Sequence, residues 1–382
     1  MAVIAGAPGP HVLLAGDGVA AMETVLALRA LPGGSSLEIS LVGPALVLRY
    51  WPLVPGPPGG PATPRNYALA SIFEDFGVTA RPGLLLGVAG DHRTAILQDG
   101  TRLPFDTLVI ATGAVPRPPG EAVDTIRGDG TDPPWQPPPR AADGGPQQVV
   151  FVEPDVGWSL PLYALVLRAA AAALADGRGD LTFVLATPRA TVLSDFAGDG
   201  ADAVARLLTA AGIELLTGTD LDVTRYDGQA LSLRGSAGPS VPAARVLTMP
   251  HLRGHAHAGV PCDANGFVST GPGGHVPGTA QVYAAGDATA GGIKNGSLAA
   301  QQADAVAAGI VQARGSAARL GPVRRILRAI LDGGSQPLYL RATVEDGRSI
   351  ASSASRECPW WPPEKIAARH LAPYLADRRQ AP

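Results

Sequence analysis

The stretch HVLLAGDGVAAMETVLAL, residues 11–28, decides how this chain is read. His11–Ala15 is a short apolar run, the pattern of a buried strand. Gly16 and Gly18 follow at once. From Ala20 to Leu31 the apolar residues Ala21, Met22, Val25, Leu26 and Leu28 recur at helical spacing, and Pro32, Gly33 and Gly34 stop that helix. A second strand is expected over Leu37–Val42. Strand, glycine turn, helix and strand in this order open a doubly wound α/β fold.

Gly16-Asp17-Gly18-Val19-Ala20-Ala21 fits the pattern GxGxxG/A. The first glycine permits a tight turn, the second lets backbone approach a pyrophosphate, and a small third residue lets helix and strand pack closely. The helix N-terminus then offers free N–H groups and partial positive charge to the phosphates. The strand before and the helix after supply the context that this motif requires. A glycine turn without a ligand is the alternative. One element is missing: the second strand ends in Val42-Gly43-Pro44-Ala45, without the acid that would hold a ribose. Glu38 lies inside that strand, and Glu23 is either a ribose contact or a solvated helix residue.

Two later motifs fall in line with the first. Thr107–Ala111 reads as a buried strand followed by Thr112-Gly113. Val282–Ala285 reads as a strand ending in Gly286-Asp287, and a helix is expected over 295–313. An Asp at a strand end accepts hydrogen bonds from ligand hydroxyls, and the helix N-terminus favours a group that gains negative charge. Between these motifs, residues 67–76 look helical and 84–105 read as antiparallel strands. A second alternating series follows: strand 148–152, helix 160–175, strand 181–186, helix 200–211 and strand 214–217.

Composition bounds the rest. The 382 residues include 48 glycines and 37 prolines, about 22% of the chain. That exceeds the average of about 12% and stays below the level of low-complexity chains. With 46% hydrophobic residues the chain can build large cores, which excludes general disorder. The Pro-rich stretches at 52–64 and 116–146 read as a loop and a linker. Only Lys294 and Lys365 among the 30 basic residues are lysine. A net charge of −3 gives no reason to expect nucleic acid as a partner. Cys262 and Cys358 lie far apart, so no disulfide framework, Cys-rich metal site or local dithiol is expected. The N-terminus lacks a basic segment, so no signal peptide is expected, and the longest apolar tract is too short to span a membrane. His251, His255 and His257 form an HxxxHxH pattern, but Pro250, Gly254 and Gly259 make it a loop, and no metal is expected.

GDGVAAMET, DTLVIATG and VYAAGDATA in this order resemble the FAD-site signatures of the two-dinucleotide-binding-domain flavoproteins. Within these the chain is similar to the sulfide:quinone oxidoreductase and type II NADH dehydrogenase branch. FVEPDVGWSLPLYAL, KNGSLAAQQADAVAAGI and WWPPEKIAARHLAPYL resemble an actinobacterial-type group of FAD-dependent oxidoreductases. The resemblance spans almost the whole chain. It implies two Rossmann-like three-layer α/β domains, an FAD domain with an inserted NAD-like domain, and a small C-terminal region. The expected boundaries are 1–120 and 278–318 for the FAD domain, 121–146 for a linker, 147–277 for the NAD-like domain and 319–382 for the C-terminal region. Gly16, Gly18 and Ala21 would shape the FAD pyrophosphate site, and Thr112 and Gly113 would lie beside the cofactor. Gly286 and Asp287 would bind the ribityl-phosphate region. Lys294 would stand near the flavin at the start of the last helix, where the group carries Lys-Gln-Gly-Gly-Leu and this chain reads Lys294-Asn295-Gly296-Ser297-Leu298.

The departures from the family carry the functional argument. After the strand Val149–Val152 a second GxGxxG is expected; the chain has Glu153-Pro154-Asp155-Val156-Gly157-Trp158-Ser159-Leu160-Pro161. Prolines remove N–H donors, and two carboxylates repel a pyrophosphate, which argues against NAD(P)H. Sulfide oxidation needs a cysteine pair across the flavin. Trp158 stands where that family carries a Cys, and Cys358 alone cannot form the bridge. Trp158, Trp360 and Trp361 are candidates to line a pocket over the flavin, or else they fill a domain interface. Lys365 and His370 are candidate proton donors there, and Ala164 replaces a Glu of the relatives.

The expected function is FAD-dependent electron or hydride transfer between a small-molecule donor and acceptor, a quinone among the candidates, with Lys294, Trp158 and Trp361 at the reacting centre. Two alternatives stay open: a catalytically silent flavin-binding partner, and a tailoring enzyme of small-molecule biosynthesis. A cytoplasmic protein with at most weak peripheral membrane contact is expected, and its oligomeric state is open.

Overall fold

The computed structural model describes residues 9–50, 65–90, 92–120, 123–126, 135–154, 157–233, 240–316, 325–332, 336–345, 347–361, 363 and 365–378. The expected loop at 52–64, and Asp155 and Val156 of the second turn, lie outside these residues.

Two five-stranded parallel sheets organise the chain. The first runs Val282–Ala284, Thr107–Ile110, His11–Ala15, Glu38–Gly43, Val78–Pro82 from edge to edge. Every neighbouring pair is parallel. Helix α1 (Val19–Ala30) and, much later in the chain, the helix Gly296–Ala313 cover one face. The antiparallel strands Leu85–Val88, Thr94–Leu97 and Arg102–Pro104 cover the other. Val12 and Leu14 therefore join the helix-side core, while Leu13 and Ala15 join the opposite one. A strand buried on both faces needs the unbroken apolar run that marks it in the sequence. Each large apolar side chain so buried contributes about 1.5–3 kcal/mol.

The second sheet runs Asp124–Thr125, Arg245–Thr248, Gln147–Val152, Leu181–Ala186, Ile213–Leu216, again all parallel. Its helices are α2 (Leu160–Ala175) and α3 (Asp199–Ala210). A three-stranded antiparallel sheet packs on its opposite face through Leu221, Leu231 and Ala243. The C-terminal strands Arg325–Asp332, Pro337–Glu345 and Arg348–Ser355 form an antiparallel meander. Its inward side chains Leu327, Leu331, Leu340 and Val344 close the core of α2 and α3. The last described element is a short helix, α5 (Leu371–Arg378), lying against α1; the long helix Gly296–Ala313 is α4.

Five strands differ from the sequence reading. Arg65–Ala68 is a strand paired with Val47–Tyr50, and only Ala70–Phe76 is helical, because Tyr67 packs edge-on against buried Tyr50. Val78–Pro82 and Arg245–Thr248 are strands that mixed polar composition conceals. Within the expected linker, Val115–Arg117 pairs with His251–Arg253, and Asp124–Thr125 adds an edge to the second sheet. Among the described residues no helix is long and apolar enough to cross a membrane.

Candidate functional site

The first sheet reverses its strand order between His11–Ala15 and Thr107–Ile110, and ligands of open α/β sheets bind outside the carboxyl ends of such a pair. Gly16 leaves the first strand at φ 124°, and its N–H donates to the Val42 carbonyl at 2.7 Å. A Cβ on Gly16 would stand 2.1 Å from the Ala111 carbonyl oxygen, so the two loops meet only because it is glycine. Gly18 differs. A Cβ there would find nothing within 4 Å, although the residue forms the entry to α1. The fold itself does not need a glycine at that point; the open space is what a pyrophosphate against the helix N-terminus would fill. Ala21 is buried in the core beneath. The side chain of Asp17 accepts the N–H groups of Ala45 and Leu46, which fixes the turn after the second strand.

Thr112 and Gly113 lie across from this turn, and Gly113 has φ 73° with open space at its Cβ position. The Thr112 hydroxyl lies 3.0 Å from His257 Nε2. His257 is 3% exposed, and burial pushes its imidazole down to about 4, with His255 adding to the effect. It is a neutral buried ring under the loop. The HxxxHxH spacing carries no signal of this, because the partner arrives from a loop 145 residues away.

At the third strand end, Gly286 has φ 75°, and its N–H donates to Gln302 Oε1 at 2.7 Å. A Cβ there would meet that of Ala20 at 2.9 Å, so Gly286 lets this turn pack on α1. Asn295 caps α4 by accepting the Ser297 N–H at 2.8 Å. Ser297, fully buried, donates to the Lys365 carbonyl and accepts the Ala367 N–H at 3.0 Å, tying the C-terminal segment to the start of α4.

The chain's two lysines converge here. Lys294 is 5% exposed. Its Nζ donates to the carbonyls of Thr289 and Gly291 and stands 3.9 Å from the centre of the Phe267 ring. Burial lowers its pKa, and Asp287 and Asp263 oppose that. Burial likewise brings Lys365 down to about 8, with Asp287 opposing. Asp287 is pushed up by burial and drawn back by both lysines. Asp287 thus faces both lysines, Asp263 faces Lys294 as well, and all of them gather at the N-terminus of α4. Scarcity of lysine in an arginine-rich chain is the sequence signal that singles out Lys365.

Beside Lys294 a cleft of about 320 Å³ opens, lined also by Phe267, Asp263, Gly157, Arg189 and Asp195. The last three belong to the end of the second sheet. Glu153, 3% exposed, occupies the first position of the turn there. It accepts the Tyr163 hydroxyl at 2.7 Å, and that oxygen accepts the Leu193 N–H at 2.7 Å. Arg189 lies 3.8 Å from Glu153 and 3.7 Å from Asp195. Burial raises Asp195 to about 6; Arg189 opposes and Glu153 reinforces the rise. At the turn where a dinucleotide's phosphates would lie, the chain places its own carboxylate.

The three candidate tryptophans, Trp158, Trp360 and Trp361, are not in the wall of this cleft. Trp158 packs on Phe196, ring centres 6.1 Å apart, against the second core. Trp361 is 87% exposed, and Trp360 packs edge-on against Tyr339. Apolar contacts within the second unit and the meander account for Trp158 and Trp360. Glu23 is neither a ribose contact nor solvated. It is 0% exposed, and its two oxygens accept the N–H groups of His370 and Leu371 at 2.8 and 2.7 Å, capping α5. Ligand atoms of Glu23, Asp304 and His370 lie within 4.8 Å of one another, but both Glu23 oxygens already serve the cap. Cys262 and Cys358 are both free thiols.

No protein-family model and no curated protein matches the chain. Solved structures do. The sulfide:quinone oxidoreductase of Aquifex aeolicus aligns over 91% of this chain and 87% of its own, at 18% identity and a TM-score of 0.68. A chain of the covalent putidaredoxin reductase–putidaredoxin complex aligns over 98% and 100%, at 16% identity and TM-score 0.56. A ferredoxin reductase from Rhodopseudomonas palustris aligns over 88% and 83%, at 18% and 0.56. Two parallel sheets, each with helices on one face and an antiparallel sheet on the other, followed by a C-terminal meander, give this chain the fold of the two-dinucleotide-binding-domain oxidoreductases.

Proposed function

We propose that the chain is an FAD-dependent oxidoreductase whose reductant is not delivered through a dinucleotide site in the second sheet. One observation carries the first half: three loops meet at the carboxyl end of the first sheet and leave open the space above Gly18. Gly16 and Gly18 present α1 to the pyrophosphate. Thr112 and Gly113 would flank it, and Asp287 would accept from the ribityl hydroxyls. When bound, the flavin supplies two-electron redox chemistry. The chain's own part is electrostatic: Lys294, Lys365 and the N-terminus of α4 favour negative charge at that place. The small polar cleft beside Lys294 receives the donor or acceptor.

The second half rests on Glu153, held by Tyr163 and Arg189 where phosphates would bind. Two free cysteines without a partner likewise disfavour sulfide oxidation through a disulfide. Purified protein is expected to carry flavin absorbance, and under anaerobic conditions to be reduced far more slowly by NADH or NADPH than by its true donor. Protein without flavin that takes up no added FAD overturns the first half; rapid reduction by either nucleotide overturns the second. The buried charge network also suits a silent flavin-binding partner, and fast turnover with any donor eliminates that reading.

A further inference from the structure

The outer face of the C-terminal meander carries two arginines that have no acidic partner among the described residues. Arg328 and Arg341 are direct cross-strand partners, and Ser353 stands opposite Arg341 on the third strand. Their neighbours Leu327, Ala329, Leu340 and Ala342 point into the core, so these three side chains share the outward face. Like charges directly opposite each other on a sheet are destabilising. Here no carboxylate relieves them: among the described residues neither arginine has an acidic partner.

Trp360 closes one end of the row. Its ring covers Arg328, with the guanidinium carbon 5.2 Å from the ring centre, and its other contact is Tyr339 at 5.7 Å. This cover removes the Arg328 Nε and the Trp360 Nε1 from water, and neither finds an acceptor. Burial and the Arg341 charge lower the pKa of Arg328, and Cys358 opposes them. Buried N–H groups without partners are rare in folded proteins, and here the Trp360 cover that creates them also holds Arg328 beside a like charge.

We propose that this row is an oxyanion site, in which Arg328 and Arg341 hold a phosphate or carboxylate group of a small ligand, the Ser353 hydroxyl adds a donor, and the Trp360 ring walls one end. Paired guanidinium forks suit an acceptor with two or more oxygens, and the stacked indole holds one fork in place. The site lies on the meander's far side from the α2–α3 core and is independent of flavin binding.

The test follows the Trp360 indole N–H resonance of the full-length ¹⁵N-labelled protein, assigned by its loss in Trp360→Phe. Sodium phosphate and sodium succinate are titrated separately at constant ionic strength kept with chloride. A saturable shift is expected, at least tenfold weaker in Arg341→Gln and unchanged in Arg356→Gln, whose guanidinium donates to the Gln336 carbonyl instead. Response to phosphate alone assigns a phosphoryl ligand; response to succinate alone assigns a carboxylate. Arg341 is exposed, so Arg341→Gln should fold, and in chloride its melting temperature should equal or exceed that of the parent protein. A resonance that moves with neither anion, or that responds in Arg341→Gln as in the parent, overturns the proposal.

Discussion

At the first parallel sheet the central strand runs into Gly16 and Gly18; at the second, Gln147–Val152 runs into Glu153 and Pro154. Both sheets have the same layers, helices on one face and three antiparallel strands on the other. Both place their loops at the carboxyl ends of the strands. The first turn leaves a space bounded by backbone N–H groups. The second is closed by a carboxylate that its own helix and loop hold in place through Tyr163 and Arg189. One architecture thus leaves bare backbone at one turn and, at the other, fills the phosphate position with side chains that satisfy one another.

The strongest way to break this comparison is to treat the two turns alike. Gly16→Ala drives a methyl group against the Ala111 carbonyl and forces a φ that L residues rarely adopt. We expect a loss of about 3 kcal/mol in urea unfolding, from overpacking and backbone strain together. Gly157→Ala has φ strain but only Leu252 at 3.8 Å to meet, and should cost less than half as much. Equal costs would mean that the first turn is no tighter than the second. Gly18→Val sharpens the point. The space beside Gly18 is open, so stability without cofactor should change by less than about 0.5 kcal/mol. Flavin affinity should fall about a hundredfold in an equilibrium titration, because the valine takes the place of the pyrophosphate.

How much of this is legible in the sequence follows from which contacts are local. Gly16, Gly18 and α1 are read directly, since turn, strand and helix adjoin along the chain. The closure of the second turn is only half legible. Pro154 and Glu153 announce that phosphate is unwelcome, but Tyr163 and Arg189 join Glu153 only after α2 and the strand Leu181–Ala186 have packed. Glu23 shows the same limit. It reads as a helix-surface acid, and only the arrival of residues 370 and 371 at the other end of the chain makes it a cap.

Each unit also buries an acid whose proton affinity is raised, and the two should differ in size of effect. Glu23 is raised from 4.5 to about 7, by burial first and Asp304 second, against its backbone hydrogen bonds. Asp195 reaches about 6, with Arg189 opposing the rise. A raised carboxyl pKa means that the folded state binds the proton more tightly than the unfolded one. Its contribution is therefore greatest at low pH and is lost as pH rises from the unfolded value through the folded one. Stability should fall between about pH 4.5 and 7, by on the order of 2 kcal/mol. Glu23→Gln should flatten most of this slope, and Asp195→Asn a smaller part of it. A slope unchanged in Glu23→Gln would place the titrating group elsewhere.

The smallest expected effect concerns charge that only the first sheet possesses. Lys294 and Lys365 stand at the start of α4, and the second sheet has no lysine at all. Positive charge near a bound flavin favours its reduced form, so removing it makes reduction harder. Lys365→Met deletes one cation without touching the glycine turn. It should lower the flavin midpoint potential by about 30 mV, a tenfold change for a two-electron couple, while flavin affinity changes little. Lys294→Met should lower it further, because that ammonium is deeper and also holds the Thr289 and Gly291 carbonyls. Arg189→Met removes a cation that lines the same cleft but sits between Glu153 and Asp195, and it should lower the potential by less than Lys365→Met does. If Arg189→Met moves the potential as far as Lys365→Met does, the two crevices share one field, and the division between an open and a closed site fails on electrostatic grounds even though the geometry keeps them apart.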